Sequence, residues 1–258
     1  MPDDLPEYLD VNGVPIAYRR RAGQAPGLCW LGGYRSDMRG TKAEALDAFA
    51  ARNGHAFLRH DYSGHGESGG DFANGTISTW LAESLALFNA LTQGPQILVG
   101  SSMGAWIALR MVQELGRTGE NGRVAGLVLL APAPDFTIDL IEPNLTPQQN
   151  KDLAEKGFFE EPSEYGPEPN IYTRALIEDG RRNSVLSGPI DTFCPVHILQ
   201  GLSDPDVPYH HALKLAGLLP ADDVTLSLIP GGDHRLSRPQ DLAMLEQAVT
   251  AIIAQAGA

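Results

Sequence analysis

Two stretches of the chain carry the pattern Gly-x-Ser-x-Gly, and a serine in that setting is a candidate nucleophile. One is Gly100-Ser101-Ser102-Met103-Gly104, inside QILVGSSMGAW; the other is Gly66-Glu67-Ser68-Gly69-Gly70. The pattern alone does not choose between them, but its surroundings do. A nucleophile elbow needs a strand running into it and a helix leaving it, because the sharp turn between them lifts the hydroxyl above the sheet edge. Ser102 follows the β-branched run Ile97-Leu98-Val99 and precedes the helix-prone Met103-Gly104-Ala105-Trp106-Ile107-Ala108-Leu109. Ser68 has Ser63-Gly64-His65 before it and Gly69-Gly70-Asp71 after it, which reads as a loop.

A serine hydroxyl attacks only when a base takes its proton, and an imidazole base needs a carboxylate to hold its tautomer. Of the seven histidines, His197, His210, His211 and His234 follow Ser102. His197 lies within the strand-like Val196 to Gln200, while His210 and His211 open a helix and read as surface residues. His234 ends the segment Val224 to His234, where a late strand opens into the loop Pro230-Gly231-Gly232-Asp233, and is the expected base. The expected acid is Asp204, the first carboxylate after the strand Val196 to Gly201, in Gly201-Leu202-Ser203-Asp204-Pro205-Asp206; Asp206 is the alternative. Asp204 could also serve only as the start of an Asx turn before Pro205. Two backbone N–H groups would bind the oxyanion of a tetrahedral intermediate: Met103, after the nucleophile, and Tyr34, in Leu31-Gly32-Gly33-Tyr34.

These residues must be held by a frame, and the apolar pattern supplies one. Tyr8 to Arg21 alternates around Asn12-Gly13 and predicts an edge hairpin. Short strand-like runs then alternate with helical segments: Leu28 to Leu31, helix Thr41 to Asn53, Ala56 to Tyr62, helix Thr76 to Leu91, Gln96 to Gly100, helix Met103 to Leu115, Val124 to Ala131. This is the rhythm of an α/β fold, a mostly parallel sheet with helices on both faces. It breaks over about residues 135–193, longer than ordinary connections run, which predicts an inserted helical lid on a single 1–258 domain. Helices are expected there at Pro147 to Lys156, capped by Thr146, and at Ile171 to Leu186. The rhythm resumes with a strand at Val196 to Gly201, helix Pro208 to Leu218, strand Val224 to Ile229 and a closing helix Arg238 to Ala254. Phe158, Phe159, Tyr165 and Tyr172 would either roof an apolar acyl pocket or form the insertion's own small core.

Composition excludes several function classes. A formal charge of −13 argues against binding nucleic acid through its phosphates. No apolar stretch approaches the ~20 residues that span a bilayer, so no membrane insertion is expected. Cys29 and Cys194 are the two cysteines and read as buried thiols rather than a disulfide framework. The acidic start MPDDLPEYLD has neither secretory nor transit-peptide character, which leads to a cytoplasmic expectation. Arg174, Arg181 and Arg182 read as solvated residues, with contact to a substrate carboxylate as the alternative.

Taken together, GGYRSDMRGTKA, RHDYSGHGES, GPQILVGSSMGAW, GLSDPDVP and GDHR resemble the α/β-hydrolase superfamily and, within it, the subfamily of the mitochondrial mycophenolic-acid acyl-glucuronide esterase, also described as a depalmitoylating thioesterase. The resemblance implies a Ser102, Asp204, His234 triad, an oxyanion hole at the GGY stretch and Met103, and acyl esters or thioesters as small-molecule substrates. Gly32 stands where many superfamily members have histidine. The expected function is a serine esterase that needs no metal or organic cofactor. Its rivals are an acyl-protein or acyl-CoA thioesterase using the same triad, and a non-catalytic small-molecule binder on the same fold. Oligomeric state has no signature in the sequence.

Overall fold

A computed structural model describes residues 5–163, 169–220 and 224–256. The strands are β1 (Glu7–Val11), β2 (Val14–Arg21), β3 (Gln24–Leu31), β4 (His55–His60), β5 (Gln96–Ser101), β6 (Val124–Leu130), β7 (Phe158–Glu161), β8 (Asn170–Thr173), β9 (Val196–Gly201) and β10 (Val224–Ile229). The helices are α1 (Thr41–Asn53), α2 (Ile77–Leu91), α3 (Met103–Arg117), α4 (Pro147–Glu155), α5 (Arg174–Arg182), α6 (Tyr209–Ala216) and α7 (Pro239–Ala256). Eight strands form one sheet in the order β1-β2-β4-β3-β5-β6-β9-β10. The pairs β1–β2 and β2–β4 are antiparallel, and the rest of the sheet is parallel.

Side chains along a strand point alternately to opposite faces, and the two halves of the core follow that alternation. Leu28 and Trp30 of β3, Ile97 and Val99 of β5 and Val128 and Leu130 of β6 pack with Leu46 and Phe49 of α1 and with Leu245 and Val249 of α7. Cys29 and Leu31, Leu98, and Leu127 and Leu129 point the other way, into a core with Trp80 and Phe88 of α2, Trp106 and Leu109 of α3 and Leu215 of α6. Burying both faces explains why these strands read as unbroken apolar runs.

The chain pairs β3 first with β4 and then, on the other flank, with β5. That reversal opens a crevice at the carboxyl ends of β3 and β5, the usual ligand position in open α/β sheets. The loop after β3 and the turn after β5 both emerge there.

The segment between β6 and β9 differs from its expected form. The sequence predicts a helical segment, with helices at Pro147 to Lys156 and at Ile171 to Leu186. Instead Asn170–Thr173 is a strand paired antiparallel with Phe158–Glu161, and the helix begins at Arg174, where Thr173 caps it by accepting the Leu176 N–H. Tyr172, a β-favouring aromatic, gains a cross-strand partner in Phe159 that a helix would not give it. The α4 helix begins as expected at Pro147, with Thr146 and Gln149 forming a reciprocal capping box. The neck of the insertion is tied by Asp135, whose buried carboxylate accepts the Ser184 hydroxyl and the N–H groups of Val185 (2.9 Å) and Leu186 (2.8 Å). Tyr165 lies outside the described residues. Among the described residues no helix is long and apolar enough to cross a membrane.

Candidate active site

Ser102 sits between β5 and α3 with φ 54° and ψ −119°. A non-glycine residue in that region carries a strain of ~1–3 kcal/mol, so its neighbours must hold it. Its N–H donates to the carbonyl of Leu130 (2.9 Å), and its own carbonyl accepts the N–H groups of Ala105 (3.0 Å) and Ala133 (3.2 Å). The flanking glycines are steric necessities. A Cβ on Gly104 would lie 2.1 Å from the Leu31 carbonyl oxygen, and one on Gly100 would lie 2.5 Å from the Gly104 carbonyl oxygen. Helix and strand are therefore pressed backbone to backbone at the elbow.

His234 and Asp204 reach the same point from two later loops. Gly201 makes this possible, because a Cβ there would fall 2.3 Å from the Gly232 carbonyl oxygen. The acid loop is further bound to the base loop by the Ser203 N–H, which donates to the Gly232 carbonyl (2.9 Å). His234 Nδ1 lies 2.9 Å from Asp204 Oδ2, and its Nε2 lies 3.0 Å from Ser102 Oγ. A carboxylate only accepts, so Nδ1 carries the proton and Nε2 presents its lone pair to the serine hydroxyl.

Asp204 is fully buried as a side chain and His234 is 15% exposed. Burial alone would push the Asp204 carboxyl up. The hydrogen bond and charge of His234, with the N–H groups of Val207 (2.8 Å) and Asp206 (2.9 Å) on Oδ1, outweigh it and hold the group below the ordinary aspartate range. Asp206, the alternative acid, is exposed, and its backbone N–H donates to Asp204 Oδ1 (2.9 Å). Asp204, Asp206 and His234 lie within 4.8 Å of one another, but the Asp204–His234 hydrogen bond already occupies the shared groups.

Two supports lay beyond sequence reasoning. Gln200, fully buried, donates from Nε2 to Asp204 Oδ2 (3.1 Å) and to the carbonyls of Gly201 (3.1 Å) and Val207 (3.0 Å). Lys42, on α1, donates to the Arg235 carbonyl next to His234. Burial lowers the Lys42 amine to about 8 against the opposing pull of Asp233 and Asp204. A Gln inside a strand and a Lys on a helix carry no local mark of such roles.

The loop after β3 lies against the elbow: a Cβ on Gly33 would be 3.3 Å from Ser102 Cβ. Met103 is the first residue of α3, so its N–H has no intrahelical acceptor and points with the positive end of the helix toward the crevice. The Tyr34 ring stacks on Tyr172 (5.5 Å, 7°), and its hydroxyl donates to the Ile171 carbonyl, tying this loop to the insertion. Phe159 is buried with its ring 5.2 Å from Tyr172, whereas Phe158 is exposed. Phe159 and Tyr172 thus pack on each other within the β7–β8 hairpin, and Phe158 does not join them. Arg174 donates to the carbonyls of Leu153 and Ala154, Arg181 pairs with Glu142 (2.8 Å) and Arg182 with Asp179 (2.8 Å).

Of the remaining histidines, His197 is half-buried with Nε2 3.0 Å from Ser227 Oγ. His211, expected at the surface, is buried, and its Nε2 bonds the Pro134 carbonyl (2.7 Å). Ser68 is locked into structure, its hydroxyl donating to the Asp61 carbonyl (2.7 Å) and accepting the Ala17 N–H (2.8 Å).

The model of the alpha/beta hydrolase family matches residues 23–245. Among curated proteins, the human mitochondrial palmitoyl-protein thioesterase ABHD10 is 32% identical over 95% of this chain and 79% of its own length, and the mouse protein is 35% identical over 92% and 79%. A solved structure from Agrobacterium vitis S4 is 57% identical with a TM-score of 0.92, over 96% of this chain and 97% of that one. The structure of mouse alpha/beta hydrolase domain-containing protein 10 is 32% identical with a TM-score of 0.87, over 97% and 98%. The cytoplasmic expectation is overturned here, since these curated relatives are named as mitochondrial; an amino terminus without transit-peptide character does not assign a compartment. A family match from residue 23 to residue 245, together with relatives above 30% identity along most of their own length, makes the chain a member of the alpha/beta hydrolase family, with ABHD10 thioesterases among its relatives.

Proposed function

We propose that the protein is a serine hydrolase that cleaves carboxylic acyl esters through Ser102, His234 and Asp204. The observation that carries this reading is the unbroken chain of 3.0 Å and 2.9 Å contacts from serine hydroxyl through imidazole to buried carboxylate. Ser102 Oγ attacks the acyl carbon as its proton passes to His234 Nε2. The carbon–oxygen bond to the leaving group then breaks, and His234 delivers that proton to the departing alcohol. Water attacks the acyl-enzyme in turn, His234 takes its proton and returns it to Ser102, and the acid is released. Asp204 stays ionised and stabilises the imidazolium. The N–H groups of Met103 and Tyr34 bind the oxyanion, each worth ~2.7–4 kcal/mol in the transition state. The insertion is read as a lid over a single hydrolase domain, with Tyr172 of its hairpin stacked on Tyr34 of the oxyanion loop.

Thioester cleavage is the second reading, favoured by the palmitoyl-protein thioesterases among the relatives. It uses the same residues, but a thiolate leaves more readily than an alkoxide and depends less on the proton from His234. Matched O-acyl and S-acyl substrates of increasing chain length separate the two. A fluorophosphonate probe tests both: an adduct on Ser102, absent in Ser102→Ala, is expected. A folded protein that takes no label would instead favour a non-catalytic binder.

A further inference from the structure

The loop that holds the second Gly-x-Ser-x-Gly takes no chemical part in this scheme, yet it faces the loop after β3 along its length. The Tyr62 hydroxyl donates to the Gly32 carbonyl (3.2 Å), and His65 Nε2 accepts the Arg35 N–H (3.2 Å). Asp61 Oδ1 accepts the Met38 N–H (2.6 Å), while Arg59 Nη1 donates to the Met38 carbonyl (2.8 Å). Three side chains of this loop, with Arg59 at the end of β4, thus fix three positions of the other.

The middle contact bears on Tyr34. The Ser36 N–H donates to the Gly33 carbonyl (3.1 Å), closing a four-residue turn with Tyr34 and Arg35 at its centre. Arg35 has φ 56°, the left-handed region that glycine ordinarily fills at the third position of such turns. A side chain there makes the turn unfavourable by itself and dependent on outside support. The peptide before Tyr34 is held through the Gly33 carbonyl, and the one after it through the Arg35 N–H on His65. With both planes fixed, the direction of the Tyr34 N–H is set.

We propose that His65 is a positioning residue for the oxyanion hole: its neutral imidazole holds the strained Gly33–Ser36 turn so that the Tyr34 N–H faces the carbonyl attacked by Ser102. The proposal rests on the serine-hydrolase reading above. Its geometry requires one tautomer. Nδ1 lies 3.1 Å from the Ser63 carbonyl and must donate, leaving Nε2 as the acceptor. The ring is enclosed by Tyr62, Phe72 and Trp80 at 5.5, 5.0 and 5.2 Å. Burial lowers its basicity to about 4; the Ser63 carbonyl opposes this, and the neighbouring Arg35 charge adds to it. The acceptor lone pair is therefore kept at the pH values where ordinary histidines titrate.

Asn and Gln at position 65 separate positioning from packing. Asn reaches only to the depth of Nδ1 and keeps the Ser63 contact, whereas Gln carries an amide oxygen to about the depth of Nε2. His65→Asn is expected to lower kcat about tenfold to hundredfold with KM within about twofold, and His65→Gln to recover most of the loss, with similar thermal midpoints for both. Equal losses in the two variants, or full kcat in His65→Asn while Ser102→Ala is inactive, overturn the positioning role alone. Activity remaining in Ser102→Ala overturns the reading beneath it. If His65→Asn does not fold, the wild-type protein decides by imidazole nitrogen NMR. The Nδ1–H tautomer with a hydrogen-bond coupling to the Arg35 amide supports the role, and the Nε2–H tautomer overturns it.

Discussion

Asp204 divides its two carboxylate oxygens between different tasks, Oδ2 accepting from His234 Nδ1 (2.9 Å) and Oδ1 from the N–H groups of Asp206 and Val207. In Asp204→Asn the amide oxygen keeps the two backbone donors, so the NH2 must turn toward His234. That forces the proton onto Nε2, the nitrogen that should receive the Ser102 proton. We expect kcat to fall about 10⁴-fold with little change in fold. Asp206→Asn, measured in the same ester assay, should stay near wild type. Equal losses would reassign the acid.

Tyr34→Phe should loosen the insertion without removing it. The variant retains the stack on Tyr172 and leaves the Ile171 carbonyl without its hydroxyl donor, at a cost of about 1 kcal/mol. Hydrogen exchange should rise at residues 170–173 and stay unchanged in β5 and β6. Unchanged exchange in β8 would mean that the hydroxyl contact does not hold the hairpin down.

The elbow was legible because its cause is local: a strand, two glycines and a helix in sequence leave the serine one place to stand. Asp204 and His234 could be picked out as candidates because each falls on a loop directly after a late strand. The β7–β8 hairpin was not, because Phe158–Glu161 and Asn170–Thr173 are short, lack clean alternation and find their reason in each other and in Tyr34. His211 escaped for the same reason, since its partner is the Pro134 carbonyl 77 positions away, whereas Gln200 escaped because a Gln inside a strand does not reveal that it turns to the loop following it. His65 was seen only as part of a motif; its partner at Arg35 is 30 positions away.

Gly104→Ala should damage both stability and turnover. Its new methyl group would meet the carbonyls of Leu31 and Gly32 at 2.1 and 2.6 Å, and these are backbone atoms that cannot swing aside. Relief requires the end of β3 to shift, which displaces the Tyr34 loop. We expect a loss of about 1–3 kcal/mol in urea unfolding and a drop in kcat larger than any change in KM. A fully active, equally stable variant would contradict the close approach.

Two buried histidines should lower stability as pH falls, opposed by Asp61 and Glu83, whose carboxyls burial raises. Burial, with a like-charge penalty from His65, lowers His60 to about 4, and His65 itself is lowered to about 4. His60 faces the Ser84 hydroxyl and the Tyr62 ring, with no carboxylate against it among these contacts. Between the unfolded value near 6.5 and about 4, the unfolded chain binds protons that the native state refuses, so stability falls as pH drops through that window, by at most about 3 kcal/mol per histidine. His60→Gln should flatten the slope of unfolding free energy against pH by up to one proton. An unaltered slope would mean that the buried ring titrates normally.

Asp135 joins the chain leaving the sheet after Pro134 to the chain returning at Val185 and Leu186, so the excursion begins and ends at nearly the same spot. Loop-closure entropy changes only logarithmically with length, so the entropy of closing this excursion depends weakly on how long it is. The junction is not the excursion's one anchor: Ser78 of α2 donates to the Asp179 carboxylate (2.7 and 2.8 Å) and Trp106 of α3 donates to the Asn183 carbonyl (3.0 Å), so an exchange at that junction would be felt by both helices beneath it.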